Sequence, residues 1–211
     1  KYLGTDDIWE SSQAIMKNLL DSKKIVYKEA QGEAAFYGPK IDIMAVDALE
    51  REWQISTVQL DFNQPNRFKL TYTDKDGTDT TPVMIHRALI GSPDRFMGIL
   101  IEHYAGAFPL WLSPVQAKII PVRTHNNEYA KKVFEMLKEN NIRVELDDAD
   151  INLGTKVRDA KTNNIPYWIV VGDKDIAANK VTLESRDNGN LGQCDVSEIL
   201  IRFQDEISKR A

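Results

Sequence analysis

Residues 82–114 read PVMIHRALIGSPDRFMGILIEHYAGAFPLWLSP, and this stretch leaves the chain few ways to fold. The apolar run Val83, Met84 and Ile85 predicts a strand that leads into His86 and Arg87 and turns at Gly91. Ser92 then offers an N-cap hydroxyl, and Pro93 suits the first helical position. A helix is expected from there. Phe96, Ile99, Leu100 and Tyr104 recur at helical spacing, so one face packs inward, and Gly106 stands where a left-handed residue ends a helix. Arg95 breaks the local rule. It lies in the first turn, where the helix dipole and unpaired N–H groups favour acidic side chains, at a cost on the order of a few tenths of a kcal/mol. An arginine beside free N–H groups is also what a phosphate or carboxylate binds. A solvated or ion-paired arginine is the other reading of the same residue.

The stretch sits in a chain of 211 residues, enough for one large domain or two small ones. Its composition, 42% hydrophobic and 28% charged, is that of an ordinary globular protein. No apolar run reaches membrane-span length and no basic segment leads into an apolar one, so neither anchor nor signal peptide is expected. Cys194 is the single cysteine, which excludes an intrachain disulfide and suits a reducing, cytoplasmic setting. A net charge of −5 argues against bulk attraction to nucleic acid, so any RNA contact needs a local basic patch.

Upstream, Thr5 caps a predicted helix with Asp6 and Asp7 in its first turn and Ile8, Trp9, Ile15, Met16, Leu19 and Leu20 as its buried stripe. Ile25, Val26 and Tyr27 predict a strand. The following A-A-F-Y-G-P-K is a loop between strands, from which Tyr37 and Lys40 project. Residues 41–46 and 51–62 predict two strands. Strict alternation places Val58, Leu60 and Phe62 on one face and Trp53, Ile55, Thr57, Gln59 and Asp61 on the other, leaving Gln54 opposite to Gln59. Residues 63–67 predict a loop, 68–73 a short strand, and Asp74 to Gly77 a hairpin turn. His86 alone predicts no metal. A lone histidine after an apolar strand is more often a packed residue, and His103 and His125 lie far off in pattern.

A boundary is expected near residues 113–116, after Phe108-Pro109 and Pro114. Beyond it β and α alternate, which predicts a sheet covered by helices. Strands are expected at 117–122, 142–146, 167–171 and 180–184, and helices at 127–140 and 153–163. The run Tyr167-Trp168-Ile169-Val170-Val171 is apolar throughout, as in a strand buried on both faces, and residues 172–175 turn the chain. Asp195 and Glu198 form a capping box for a last helix carrying Val196, Ile199, Leu200, Phe203 and Ile207.

The run G-S-x-x-R-F, entering an apolar helix and ending in A-F-P-x-W-L-x-P-x-Q, resembles motif 3 of the class II aminoacyl-tRNA synthetases. Together with PVMIHRA, with GEAAFYGPK at 32–40 and with TVQLDF at 57–62, it is similar specifically to the threonyl-tRNA synthetase family. The last hundred or so residues resemble that family's anticodon-binding domain. The resemblance implies an α+β fold, with part of a class II antiparallel-sheet catalytic domain in residues 1–114. An α/β anticodon-binding domain with a mixed sheet then follows in residues 115–211. It implies a ligase that makes threonyl-adenylate from Mg-ATP and threonine and passes threonine to tRNA(Thr), working as a cytoplasmic homodimer. By the same resemblance Arg95 grips ATP phosphate, Lys40 meets the adenylate, Ser92, Gln54 and Gln59 lie near the nucleotide, and Tyr37 contacts the threonine amino group. His86 is implied as one of three protein ligands of zinc. For Gln54 and Gln59 to reach one site a bulge must intervene near Ser56-Thr57. Glutamine suits the task because its amide both donates and accepts without adding charge.

Departures from the family pattern carry expectations of their own. Motif 1, motif 2 with its second phosphate-binding arginine, and the two other zinc ligands do not occur in the 211 residues. The chain is therefore expected to be the C-terminal portion of a longer enzyme, inactive alone and with an incomplete zinc site. A non-catalytic synthetase-like module that binds tRNA or regulates is the alternative. Where the family reads R-N-E-K-x-G-x-K-I-R, residues 149–158 read A-D-I-N-L-G-T-K-V-R. Lys156 and Arg158 survive there, and with Lys174 they are the candidate anticodon contacts. Asp150 falls in the altered segment, and Glu184 stands where many members carry arginine.

Overall fold

The computed structural model describes residues 2–210 and divides into two units between Leu100 and Ile101. The expected boundary at 113–116 falls inside the second unit. No helix among the described residues is long and apolar enough to cross a membrane.

The first unit opens with α1 (Asp6–Ser22), whose Thr5 hydroxyl accepts from the Ile8 N–H at 3.5 Å. Its expected stripe is not buried. Ile8, Ile15 and Leu19 are exposed, and Trp9, Met16 and Leu20 are half-covered. Helical spacing marks an apolar face but cannot supply its partner, and Phe62 is the one fully buried hydrophobic residue among the described residues of this unit. The strand expected at Ile25 to Tyr27 does not form either, and Val26 is 98% exposed. β-branched residues favour a strand only where a neighbouring strand takes their N–H and C=O groups.

Three antiparallel strands form the sheet of this unit, in the order β1 (Lys40–Val46), β2 (Glu52–Asp61) and β5 (Met84–Ala88). Residues 63–67, expected as a loop, are a short helix, α2 (Asn63–Arg67). The predicted hairpin is shorter than expected: β3 (Tyr72–Thr73) pairs with β4 (Asp79–Thr80) across Gly77, whose φ is 83°. α3 (Pro93–Tyr104) starts as its sequence demands, with the Ser92 hydroxyl accepting from the Arg95 N–H at 3.4 Å.

In the second unit a five-stranded mixed sheet runs β10–β9–β8–β6–β7. β6 (Ala117–Pro121) pairs in parallel with β7 (Val144–Leu146) on one side and β8 (Tyr167–Val171) on the other, while β9 (Val181–Ser185) and β10 (Gly189–Cys194) add antiparallel. α4 (Asn127–Glu139) and α5 (Leu153–Thr162) are the crossovers. One face of the sheet packs Ile119, Ile169 and Val171 with Val133 and Leu137 of α4 and with Ile199 and Phe203 of α7 (Val196–Lys209). The other packs Ile120 and Trp168 with Ala160 of α5. Burial on both faces accounts for the apolar β8, as its sequence predicts. The capping box at Asp195 and Glu198 is present. The turn expected at 172–175 instead opens a six-residue helix, α6 (Asp173–Ala178), and β10 was not foreseen.

Helices α1 to α6 all stop in the same way. Lys24, Lys69, Ala105, Asn141, Asn164 and Asn179 each take a left-handed φ between 49° and 62°. In each case the next residue donates its N–H to the carbonyl five positions back, as Gly106 does to Ile101 at 3.0 Å. The left-handed residue that ends α3 is therefore Ala105, one position before the glycine expected there. Asparagine suits three of these positions because its short polar side chain tolerates this conformation.

Tyr167 gives this core a pH dependence. Its hydroxyl donates to Glu206 Oε1 at 2.7 Å. Burial, then the bond to Glu206 and that carboxylate's charge, push its pKa up to about 12. The folded state thus holds the neutral phenol better than the unfolded chain does, so stability is full below about pH 10 and falls as pH rises toward 12. Urea unfolding followed between pH 9 and 12 should show this loss. Tyr167→Phe should flatten the decline, and an unchanged pH slope would show that Tyr167 does not carry it.

Candidate functional site

In the first unit β1, β2 and β5 share a face that carries most of the expected site residues. Lys40, Gln59 and His86 lie in one row across the three strands, and Asp42, Thr57 and Ala88 in a second. Regular alternation would place Gln54 on the far side. The register shifts between Ile43, which faces Ser56, and Met44, which faces Gln54. Ile55 is thereby left as an extra residue on β2, and this bulge returns Gln54 to the face of Gln59.

The loop before β1 is drawn tightly onto β2. The Phe62 N–H donates to Tyr37 O at 3.1 Å and the Leu60 N–H to Pro39 O at 3.0 Å. Gly38 permits this approach, since a Cβ there would stand 2.0 Å from Leu60 O. Gly91, at φ 68°, sets the turn before α3 against the bulge, and a Cβ on it would meet Ile55 O at 3.4 Å.

These side chains hold one another. The Tyr37 hydroxyl donates to Gln59 Oε1, and Gln59 Nε2 donates to the Thr57 hydroxyl at 3.2 Å. Asp42 accepts from Lys40 Nζ through one oxygen and from Gln54 Nε2 through the other at 2.8 Å. His86 Nε2 meets Asp61 Oδ2 at 2.9 Å, and the Tyr37 ring stands edge-on to the imidazole with centroids 6.0 Å apart. Asp61 is 1% exposed, and its Oδ1 accepts from the first N–H groups of α2. Burial alone would raise its pKa; the bonds from His86, Gln64 and Asn63 outweigh it and hold the carboxyl below its usual range. Sequence reasoning placed Thr57 and Asp61 on the correct face but gave neither a role, and it passed over Asp42.

Ser92 and Arg95 stand at the N-terminus of α3, where Arg95 is exposed and its guanidinium has no partner among the described residues. For zinc, an imidazole held by a carboxylate has the chemistry of a ligand, and His86 fits as one donor. Three protein donors are needed, and no such group occurs among the described residues. His103 packs edge-on against Tyr104, and His125 pairs with Asp173 in the second unit.

The second unit gathers polar groups beyond the carboxyl ends of its parallel strands, the usual place for a ligand in such sheets. After β6, His125 Nε2 and Asn126 Nδ2 both meet Asp173 Oδ1, at 2.6 and 2.8 Å. The bond from Asn126, then that from His125, keeps this carboxyl below its usual range. Thr124 donates to Asp150 at 3.4 Å. Arg158 and Lys174 are exposed, as RNA contacts must be. Lys156 is not. It is 3% exposed, and its ammonium donates to Asp147 O at 2.8 Å and Pro121 O at 3.3 Å. Its expected place among the anticodon contacts is therefore corrected: Lys156 ties strand ends together. Glu184 accepts from the buried Trp168 indole at 2.9 Å.

Comparison with known proteins bears on both units. The family model described as "tRNA synthetase class II core domain (G, H, P, S and T)" matches residues 4–104, and that described as "Anticodon binding domain" matches residues 116–206. The chain is 46% identical over 208 residues to a threonine--tRNA ligase of Clostridium tetani, covering 99% of this chain and 33% of that protein. A threonine--tRNA ligase of Aquifex aeolicus gives the same identity and coverage, 46%, 99% and 33%. The chain thus spans about a third of the curated relatives it matches. Among solved structures, the RNA binding domain of threonyl-tRNA synthetase from Cryptosporidium parvum is similar at a TM-score of 0.88 and 36% identity, covering 97% of this chain and 52% of that one.

Removing the buried ammonium tests the correction. Lys156→Ala leaves two carbonyls short of a donor and should destabilise the second unit by about 1–3 kcal/mol in urea unfolding. Arg158→Ala on the same helix should stay within about 0.5 kcal/mol of the parent. A Lys156→Ala protein of unchanged stability would return Lys156 to the candidate contacts.

Proposed function

The chain belongs to the class II aminoacyl-tRNA synthetases, and from that premise we propose that it forms the C-terminal part of a threonine--tRNA ligase. The observation that carries the reading is the bulge at Ile55, which returns Gln54 to the sheet face where Lys40, Gln59 and His86 lie in one row and where Tyr37 bonds to Gln59. A chain folded only for stability has no need to bring both glutamines to one side.

In this reading the carboxylate of threonine attacks the α-phosphorus of Mg-ATP, pyrophosphate leaves, and the adenylate then gives threonine to tRNA(Thr). Negative charge builds on the phosphate oxygens, and Arg95, exposed in the first turn of α3, is the group that meets it. Lys40, kept in place by Asp42, lies toward the adenylate. Gln54 and Gln59 read base or ribose, Ser92 fixes the turn that carries Arg95, and the Tyr37 hydroxyl faces the threonine amino group. His86 supplies one zinc donor, and the other two come from outside the described residues. When bound, the zinc would hold the amino and hydroxyl groups of threonine.

The second unit binds the anticodon of tRNA(Thr), with Arg158 and Lys174 on phosphate or base. Glu184, engaged by Trp168, keeps an acceptor where other members carry a cation. A homodimer in the cytoplasm goes with this reading.

Arg95→Ala, made in the complete ligase that carries this segment, should cut threonine-dependent ATP–pyrophosphate exchange by about a hundredfold or more. Folding should change little, because the arginine is locally unfavourable where it stands. Undiminished exchange would remove Arg95 from the site, and a variant that unfolds would make it structural.

A further inference from the structure

Asp61 has no place in the reading so far, yet it is the most constrained polar side chain of the sheet. Its two carboxylate oxygens serve different elements. Oδ1 accepts from the Asn63 and Gln64 N–H groups at 2.8 and 3.0 Å and so caps α2, and Oδ2 meets His86 Nε2 at 2.9 Å. Its backbone is fixed as well, opposite Met84 in the ladder with β5. A side chain 1% exposed and held by three donors cannot swing away.

A carboxylate only accepts, so the nitrogen facing it must carry a proton. In neutral imidazole the other ring nitrogen then holds the lone pair. His86 Nδ1 has no partner among the described residues, and the ring keeps 37% of its surface open. Tyr37 stands against the ring, with its own hydroxyl committed to Gln59. The ring's orientation is thus set from two sides and its proton from one.

We propose that Asp61 is a positioning residue, which fixes the proton of His86 on Nε2 and so makes Nδ1 the atom that the site offers to its ligand. Asp61 also ties that choice to the fold, because the same carboxylate starts α2. The proposal deepens the reading above, in which His86 donates to zinc, but the tautomer itself is a property of this chain. It also sets what a replacement must do. Asp61→Asn keeps an oxygen for the α2 cap and turns an NH₂ toward the ring, so Nε2 becomes the acceptor and the proton moves to Nδ1.

The test is long-range ¹H–¹⁵N correlation of the histidine rings in the 211-residue chain at about pH 8.5, two units above the ordinary histidine pKa. His86→Asn assigns the His86 signals among the three histidines. The expected result is a proton-bearing Nε2 and a bare Nδ1 in the parent, and the inverted pattern in Asp61→Asn. A parent His86 with its proton on Nδ1, or shared evenly between the nitrogens, would overturn the proposal. So would an Asp61→Asn chain whose His86 pattern is unchanged. Should that variant fail to fold, the parent spectrum still decides. The zinc reading fails separately, if the complete ligase takes up zinc equally well with His86 replaced by alanine.

Discussion

A strand turns successive side chains to opposite faces, yet this chain puts Gln54 and Gln59, five positions apart, on the same one. The extra residue at Ile55 resolves the conflict. The site lies on both sides of it. Upstream of the bulge Gln54 reaches Asp42, and through Asp42 it is linked to Lys40; downstream Gln59 is held by Tyr37 and Thr57. The turn that delivers Ser92 and Arg95 to the start of α3 rests on the bulged backbone itself, at Gly91. One irregularity in one strand thus sets the side on which Gln54 stands and lies beside the turn that leads into α3.

The polar groups of this face are bound to each other before any ligand arrives. Such preorganisation lowers the cost of ordering them when a ligand binds. It also explains why carboxylates recur beside the expected site residues. Asp42 steadies a lysine and a glutamine, and Asp61 steadies a histidine while capping a helix. Among the charged site residues of the first unit Arg95 is the exception, free of any partner among the described residues and placed where a helix terminus attracts anions.

What could be read from the sequence was what is local. Ser92, Thr5 and the Asp195–Glu198 box announce helix starts because their hydrogen bonds close within a few residues. The apolar β8 announces its two-sided burial, and the expectation of a bulge comes from the resemblance, which assigns both glutamines to one site that strict alternation would deny them. What failed depends on partners far along the chain. The stripe of α1 is apolar at the correct spacing and still exposed, since periodicity does not name what covers it. Lys156 looked like a surface cation, but Pro121 O and Asp147 O, 35 and 9 residues away, draw it inside. Asp61 was on the correct face, yet its bond to His86 spans 25 positions. The short helices α2 and α6 escaped because Asn-Gln-Pro-Asn-Arg and Gly-Asp-Lys-Asp carry turn residues, and only their neighbours decide between turn and helix.

The register of β1 against β2 decides whether Gln54 and Gln59 share a face. Cross-strand nuclear Overhauser contacts in the isotope-labelled chain read it directly. The expected contacts pair Ile43 with Ser56 and Met44 with Gln54, and Ile55 faces no residue of β1. A continuous ladder in which Met44 faces Ile55 would put Gln54 on the opposite side from Gln59, and the site as described would not exist.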